Sequence, residues 1–199
     1  MLLFYSNASP YSRKVRVVAL EKGLSEQVEE RLSNPFDNDP ALIEVNPLVK
    51  VPSLVTDEGF ALYDSSVICE YLDRLVLASP LLPREGAERW LVRRWEALAD
   101  GMLDAAYNIV MERRRPLNEQ SPLAMQRWQK ALRNAVSYIE GDLHTLPAGI
   151  SLAQIALGAA LGYLDFRSAD FDWRKAHPSL TDWFSVFNER PSMIKTRPE

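Results

Sequence analysis

The residues best placed for chemistry are Ser9-Pro10-Tyr11-Ser12. They follow the apolar, aromatic run Leu2-Leu3-Phe4-Tyr5 and precede a helical pattern from Arg13 to Lys22 that Gly23 closes. Ser9 therefore stands at a helix N-terminus, with Pro10 in the first helical position, where no backbone N–H is needed. Backbone N–H groups there are unpaired, and the macrodipole is positive. The Ser9 hydroxyl has two uses at such a place. It can cap the helix, and it can donate to a bound thiolate or oxyanion. Local sequence leaves both open. Cys69 is the only cysteine. It falls mid-helix between Ile68 and Glu70, which predicts a buried, inert thiol rather than a nucleophile.

The elements that position these groups follow from pattern. Gln27 to Leu32 alternates and reads as a strand. The stretch 33–40 carries two prolines, two asparagines and two aspartates and reads as a loop. Residues 41–45 form a short helical turn, and Asn46-Pro47 is a further turn signal. Lys50-Val51-Pro52-Ser53-Leu54-Val55 is a strand with proline near its start. Asp57-Glu58-Gly59 turns it into Phe60-Ala61-Leu62-Tyr63. Asp64-Ser65-Ser66 then caps a helix through Val67, Ile68, Tyr71, Leu72 and Leu75. Residues 78–85 hold two prolines and read as a linker.

Beyond the linker the pattern is all helical. Residues 85–115 form one long helix, and Ser121-Pro122 opens a second. Ser151-Leu152-Ala153-Gln154 is a capping box, with Gln154 expected to reach back to Ser151. The helix it opens is apolar on nearly every side and must be buried. Pro178-Ser179 opens a last helix, which Pro191 closes.

Composition narrows the function. The chain has 199 residues, 47% hydrophobic and 25% charged, with a formal charge of −4. That balance suits a globular protein and disfavours nucleic acid as a partner. No apolar run approaches the ~20 residues that cross a bilayer. No signal peptide is legible, so a cytoplasmic protein is expected. One cysteine excludes an internal disulfide, and His144 and His177 are too scattered to suggest a metal.

Taken together, these pieces resemble the cytosolic glutathione transferases, over essentially the whole chain. The most specific segment is Asn46-Pro47-Leu48-Val49-Lys50-Val51-Pro52-Ser53-Leu54, followed by Asp64-Ser65-Ser66-Val67-Ile68-Cys69-Glu70-Tyr71-Leu72. Ser151 to Ala156 is similar to the family's capping-box helix, with Gln154 where Asp is usual. The resemblance implies an α/β thioredoxin-like N-terminal domain (βαβ-ββα) over 1–77 and a linker over 78–85. An all-α C-terminal helical domain over 86–199 then contributes the electrophile site.

Each part of glutathione finds a partner in that resemblance. Val51-Pro52 resembles the family's cis-proline pair, whose backbone takes the cysteinyl unit. Ser65 and the surrounding N–H groups take the γ-glutamyl carboxylate, Asp64 or a neighbouring acid takes the amine, and Lys50 is the candidate for the glycyl carboxylate. Ser9 is implied as the thiol activator, with Tyr5, Ser6 and Ser12 as rivals. The same tetrapeptide resembles the Cys-Pro-Tyr-Cys of glutaredoxins with both cysteines replaced by serine. Serine forms no mixed disulfide, which disfavours thiol–disulfide exchange. The electrophile is expected between the domains, near Tyr11, Met102, Tyr107, Asn108 and Met111. Arg113-Arg114-Arg115 reads as a solvated helix end or, less simply, an anionic-substrate site. The implied activity is conjugation of glutathione, as co-substrate, to small hydrophobic electrophiles by a homodimer. A non-catalytic binding or regulatory protein, and a glutathione-dependent isomerase or reductase, are the alternatives.

Overall fold

The computed structural model describes residues 1–168 and 170–198. The chain divides into two compact units. The first is Met1–Arg84 together with the chain from Pro191 onward, and the second is Glu85–Arg190.

In the first unit a four-stranded sheet has the order β2-β1-β3-β4. Its strands are β1 (Leu2–Tyr5), β2 (Glu29–Leu32), β3 (Ser53–Val55) and β4 (Ala61–Leu62). β1 pairs parallel to β2, with Leu2 opposite Glu29, and antiparallel to β3, with Phe4 opposite Ser53. β3 pairs antiparallel to β4. Leu3, Phe4 and Leu54 fill the core. β2 is exposed along its length and carries Glu29, Glu30 and Arg31, charges that discourage pairing with another chain at this edge.

Helix α1 (Pro10–Glu21) buries Val15, Val17, Val18 and Ala19. It ends as the sequence predicts. Gly23 adopts φ +68°, Leu24 N–H donates to Ala19 O at 2.8 Å and Gly23 N–H to Leu20 O at 3.1 Å. That pair of bonds is a Schellman cap. α2 is the short helix Pro40–Val45, and α3 (Ser65–Leu75) buries Ile68, Cys69 and Leu72. α1 and α3 pack together. At their far ends Lys22 and Asp73, 2% and 5% exposed, pair at 2.9 Å. Lys22 also donates to the Ala78 and Ser79 carbonyls, while Asp73 accepts from the N–H groups of Leu81 and Leu82. The stretch read as a linker is thereby anchored to the first unit up to Arg84.

The second unit is helical: α4 (Gly86–Arg113), α5 (Pro122–Asp142), α6 (Leu152–Arg167) and α7 (Pro178–Phe187). α6 is buried from Leu152 to Leu164 apart from Gln154, as its apolar circumference requires. Each Leu or Ile fully buried there contributes about 1.5–3 kcal/mol before chain entropy is counted. α4 packs along α6 and α5. α7 has no cap of its own at His177. Glu140 of α5 supplies one, accepting from Ser179 N–H at 2.9 Å and Leu180 N–H at 2.8 Å.

Two sequence expectations change. Pro191 does not merely end α7: it is the first residue of α8 (Pro191–Lys195), where proline needs no N–H donor. The helical domain also stops at Arg190 rather than 199, because α8 belongs to the first unit. Met193 is buried, its carbonyl accepts from Arg13 Nη2 at 3.1 Å, and the Ser192 hydroxyl donates to Glu21. None of the described helices is long and apolar enough to cross a membrane.

Candidate functional site

Strand directions bring three segments to one end of the sheet. β1 and β4 both run antiparallel to β3, so their C-terminal ends lie beside its start. The chain leaving β1 reaches Ser9, the chain leaving β4 reaches Asp64 and Ser65, and the chain entering β3 passes Val51-Pro52. The N-termini of α1 and α3 consequently open at the same end. Lys14 Nζ donates to Ser66 Oγ at 3.3 Å, tying the second turn of α1 to the first turn of α3.

Ser9 caps α1, its Oγ accepting from Ser12 N–H at 3.2 Å. The cap uses an oxygen lone pair and leaves the O–H free to donate, so the two uses of this hydroxyl are compatible. Its rivals are differently placed. Ser12 is fully buried and its Oγ accepts from Ser6 N–H at 3.4 Å. Tyr5 is half-buried under the Arg16 guanidinium, 4.6 Å from the ring centroid.

The loop before β3 is built by a residue that sequence reading took only as a turn signal. Asn46 is 1% exposed. Its Nδ2 donates to Lys50 O at 3.2 Å and to Ser53 Oγ at 3.0 Å, and its Oδ1 accepts from Leu48 N–H at 3.0 Å. Ser53 Oγ in turn donates to Lys50 O at 2.8 Å. Val49 N–H closes the turn on Asn46 O, with Val49 at φ 52°, an uncommon left-handed conformation for a β-branched residue. Lys50 is exposed, Val51 half-buried, and Pro52 buried behind a cis peptide bond. The β3 ladder begins at Ser53, so the Val51 backbone lies ahead of it.

Asp64 is exposed and caps α3 by accepting from Ser66 N–H at 3.1 Å. Ser65, 3% exposed, is the first residue of that helix. The peptide bond between Tyr63 and Asp64 is cis. Lys14, with no exposed surface, is the second residue that sequence reading passed over. A lysine inside an apolar helical pattern gives no signal of the helix end it will meet.

In the second unit Tyr107, Asn108 and Met111 lie on α4 with some surface exposed. Met102 is 2% exposed and belongs to the helical core, which corrects its expected place at a ligand wall. The α4 register puts it on the buried stripe with Ala99, Ala106 and Ile109. Tyr11 is half-buried in the first turn of α1, and Cys69 is fully buried.

Residues 8–75 match the glutathione S-transferase N-terminal domain model, and residues 122–185 match the C-terminal domain model. An uncharacterized GST-like protein of Escherichia coli K12, YibF, is 37% identical over the whole chain and 98% of its own length. This chain belongs to the glutathione S-transferase family. Two solved structures of a glutathione transferase family member from Pseudomonas fluorescens Pf-5 resemble it closely. One, with bound glutathione, is 39% identical with a TM-score of 0.96, covering 100% of this chain and 98% of that one. The other, with bound S-(propanoic acid)-glutathione, is 38% identical with a TM-score of 0.92 and covers both chains fully.

Within this transferase fold Gln154 stands where the family usually has Asp, and it acts differently from expectation. Ser151 Oγ accepts from Gln154 N–H at 3.5 Å, which keeps one half of the capping box. The Gln154 side chain instead donates from Nε2 to Pro147 O at 2.8 Å. A carboxylate could not make that bond. The amide therefore fastens the preceding loop rather than the helix end.

Proposed function

We propose that this glutathione transferase family member binds glutathione at the end of its sheet and activates the thiol for attack on small hydrophobic electrophiles. The observation that carries the reading is the meeting of two helix N-termini, capped by Ser9 and Asp64, beside the free Val51 backbone. The two Pseudomonas neighbours hold glutathione and a glutathione adduct, which supports the same ligand here.

Each residue has a role. The Val51 N–H and C=O pair with the cysteinyl backbone as an added strand would. Ser65 and the α3 N–H groups receive the γ-glutamyl carboxylate, and Asp64 receives the amine. Lys50 reaches the glycyl carboxylate. Ser9 donates to the sulfur and, with the α1 dipole, lowers the thiol's pKa, enlarging the thiolate fraction. The thiolate then forms a C–S bond as the leaving group departs. Tyr107, Asn108 and Met111 of α4 are offered to the electrophile. The protein is proposed to act as a homodimer. Val67 and Leu75 of α3 and Trp90 of α4 are large apolar side chains left exposed, as interface helices would leave them.

Calorimetric titration with reduced glutathione tests the binding half. The wild type is expected to bind with a micromolar to millimolar Kd and Asp64→Ala much more weakly. No binding by the wild type would refute the reading. Ser9→Ala tests the chemistry. Losing one hydrogen bond to a thiolate is expected to cut kcat/KM about ten- to a hundredfold and to raise the bound thiol's pKa. If neither moves, Ser9 is only a cap.

A further inference from the structure

Polar contacts fasten α1 to α3 near both ends. Near the start, Lys14 Nζ donates to Ser66 Oγ at 3.3 Å. At the far end, Lys22 pairs with Asp73 at 2.9 Å. From Lys14 to Lys22, and from Ser66 to Asp73, each chain advances about two helical turns. Start meets start and end meets end, so α1 and α3 run parallel and both open toward the candidate site. Lys14 lies in the second turn of α1 and Ser66 in the first turn of α3.

Much of what these helices bury is apolar: Val15, Val17 and Val18 on α1, Ile68, Cys69 and Leu72 on α3. Apolar burial is non-directional and tolerates a small slide or tilt. Lys14 has no exposed surface. Taking an ammonium out of water is costly, and apolar residues of similar volume often pack in its place without loss of stability. Packing strength alone therefore does not account for a lysine here. What the lysine adds is a directed bond to one atom of the neighbouring helix, and such a bond sets register.

That register bears on the ligand. In the transferase reading, glutathione lies across both helix starts, its sulfur at Ser9 of α1 and its γ-glutamyl carboxylate at Ser65 and the α3 N–H groups. Ser66 adjoins Ser65, and its N–H is the one that Asp64 caps at 3.1 Å. Lys14 thus holds the very turn that receives the γ-glutamyl end. A shift of α3 against α1 would separate the two groups of receptors, and a ligand of fixed length would then meet only one of them well.

We propose that Lys14 is a positioning residue for glutathione. Acting through Ser66, it sets the start of α3 against the start of α1, so that the thiol and the γ-glutamyl end are received together. The inference rests on the transferase reading above and adds the residue that gives the two helix ends their spacing. The Lys22–Asp73 pair does not share this role. Loosening it swings the far ends about the Lys14 contact and leaves the starts in place.

Three measurements on each variant test this. Calorimetric titration with reduced glutathione gives the Kd, thiolate absorbance against pH at saturating glutathione gives the bound thiol's pKa, and a thermal melt gives the stability. Lys14→Met and Ser66→Ala are each expected to raise the Kd about tenfold. Both should also raise the bound thiol's pKa, because the sulfur no longer sits against Ser9. Their combination should be no worse than Lys14→Met alone, since both remove the same contact. Lys22→Met with Asp73→Leu is expected to leave the Kd and the thiol pKa in place, whatever its Tm. A lowered Tm in Lys14→Met and Ser66→Ala with Kd and thiol pKa unchanged overturns the proposal, because the contact would then be structural only. Additive effects in the double variant overturn it too, as does an equal rise in Kd when the far pair is replaced. Should Lys14→Met fail to melt cooperatively, Ser66→Ala carries the test, since it trims one oxygen from a half-buried side chain. No binding by the wild type refutes the transferase reading and this role with it, whereas wild-type binding with unaltered variants refutes the positioning role alone.

Discussion

Replacing Asn46 by alanine removes three hydrogen bonds from one loop: those to Lys50 O, Ser53 Oγ and Leu48 N–H. At about 0.5–1.5 kcal/mol each, the gross loss is roughly 1.5–4.5 kcal/mol. Two features reduce it. Leu48 is 64% exposed, so its N–H regains water. Lys50 O keeps its bond from Ser53 Oγ at 2.8 Å. A net loss of about 2 kcal/mol remains. It falls on the segment that presents Lys50 and Val51, so it weakens ligand binding by lowering the population of the competent loop. Two kcal/mol caps the rise in the glutathione Kd at about thirtyfold, and the surviving Val49–Asn46 turn bond makes roughly tenfold the expected value. Calorimetric titration gives the Kd, and a thermal melt of the same sample gives the stability. A lowered Tm with an unchanged Kd would refute the reasoning, because the loop would then be structural and not part of the binding site. Ser53→Ala probes the same network. Its effect should be less than additive with Asn46→Ala, since the two share bonds.

Further outcomes follow from other particular contacts. Asp73→Ala should cost about 3–5 kcal/mol in urea unfolding, because Lys22 keeps a buried charge without its partner and the Leu81 and Leu82 N–H groups lose their acceptor. Replacing both, as Lys22→Met with Asp73→Leu, should cost less than the sum of the single changes, and an additive result would show that the pair is not coupled. Glu140→Gln should cost about 1–2 kcal/mol, the usual range for a lost helix cap, with the loss localised to α7 by hydrogen exchange. Burial pushes the Glu140 carboxyl up, but the N–H groups of Leu180 and Ser179 more than reverse this, so its pKa lies below the ordinary carboxylate value. Its contribution is therefore complete above the unfolded pKa and lost as pH falls through the lower, folded one. A wild type and Glu140→Gln that lose stability in parallel through that acid window would contradict the assignment.

Local signals in the chain were strong where one residue type satisfies one backbone demand. Ser9 before Pro10, Gly23 after a helix, Asp64 before α3 and Ser151 before α6 all fell where a cap or a left-handed turn was needed. The apolar circumference of α6 likewise fixed its burial, because a helix with no polar face has no stable exposed orientation. The segments that resemble the family's glutathione-binding half were recognisable for the same reason: their residues are contiguous, and Asp64 and the Val51-Pro52 pair act through caps and backbone.

What depended on distant partners was not legible. Asn46 looked like half of a turn dipeptide; its clamp exists only because Lys50 and Ser53 return beside it. Lys14 became part of the site only when α3 brought Ser66 within reach. Met102 and Met111 are chemically alike in sequence, and helix register alone put the first in the core and left the second partly exposed. Pro191 read as a stop because proline breaks a helix that precedes it, whereas the Arg13 and Glu21 contacts made it a start. Of the three consecutive arginines, the positions of Asp170, Glu119 and Glu112 decided that Arg113 and Arg115 are paired with carboxylates. The sequence by itself determined the elements, their caps and the segments that carry the family resemblance, since these answer to local dihedral and hydrogen-bond demands. Tertiary structure alone decided which buried groups found partners, because a hydrogen bond or ion pair between residues far apart in the chain depends on where packing places both ends.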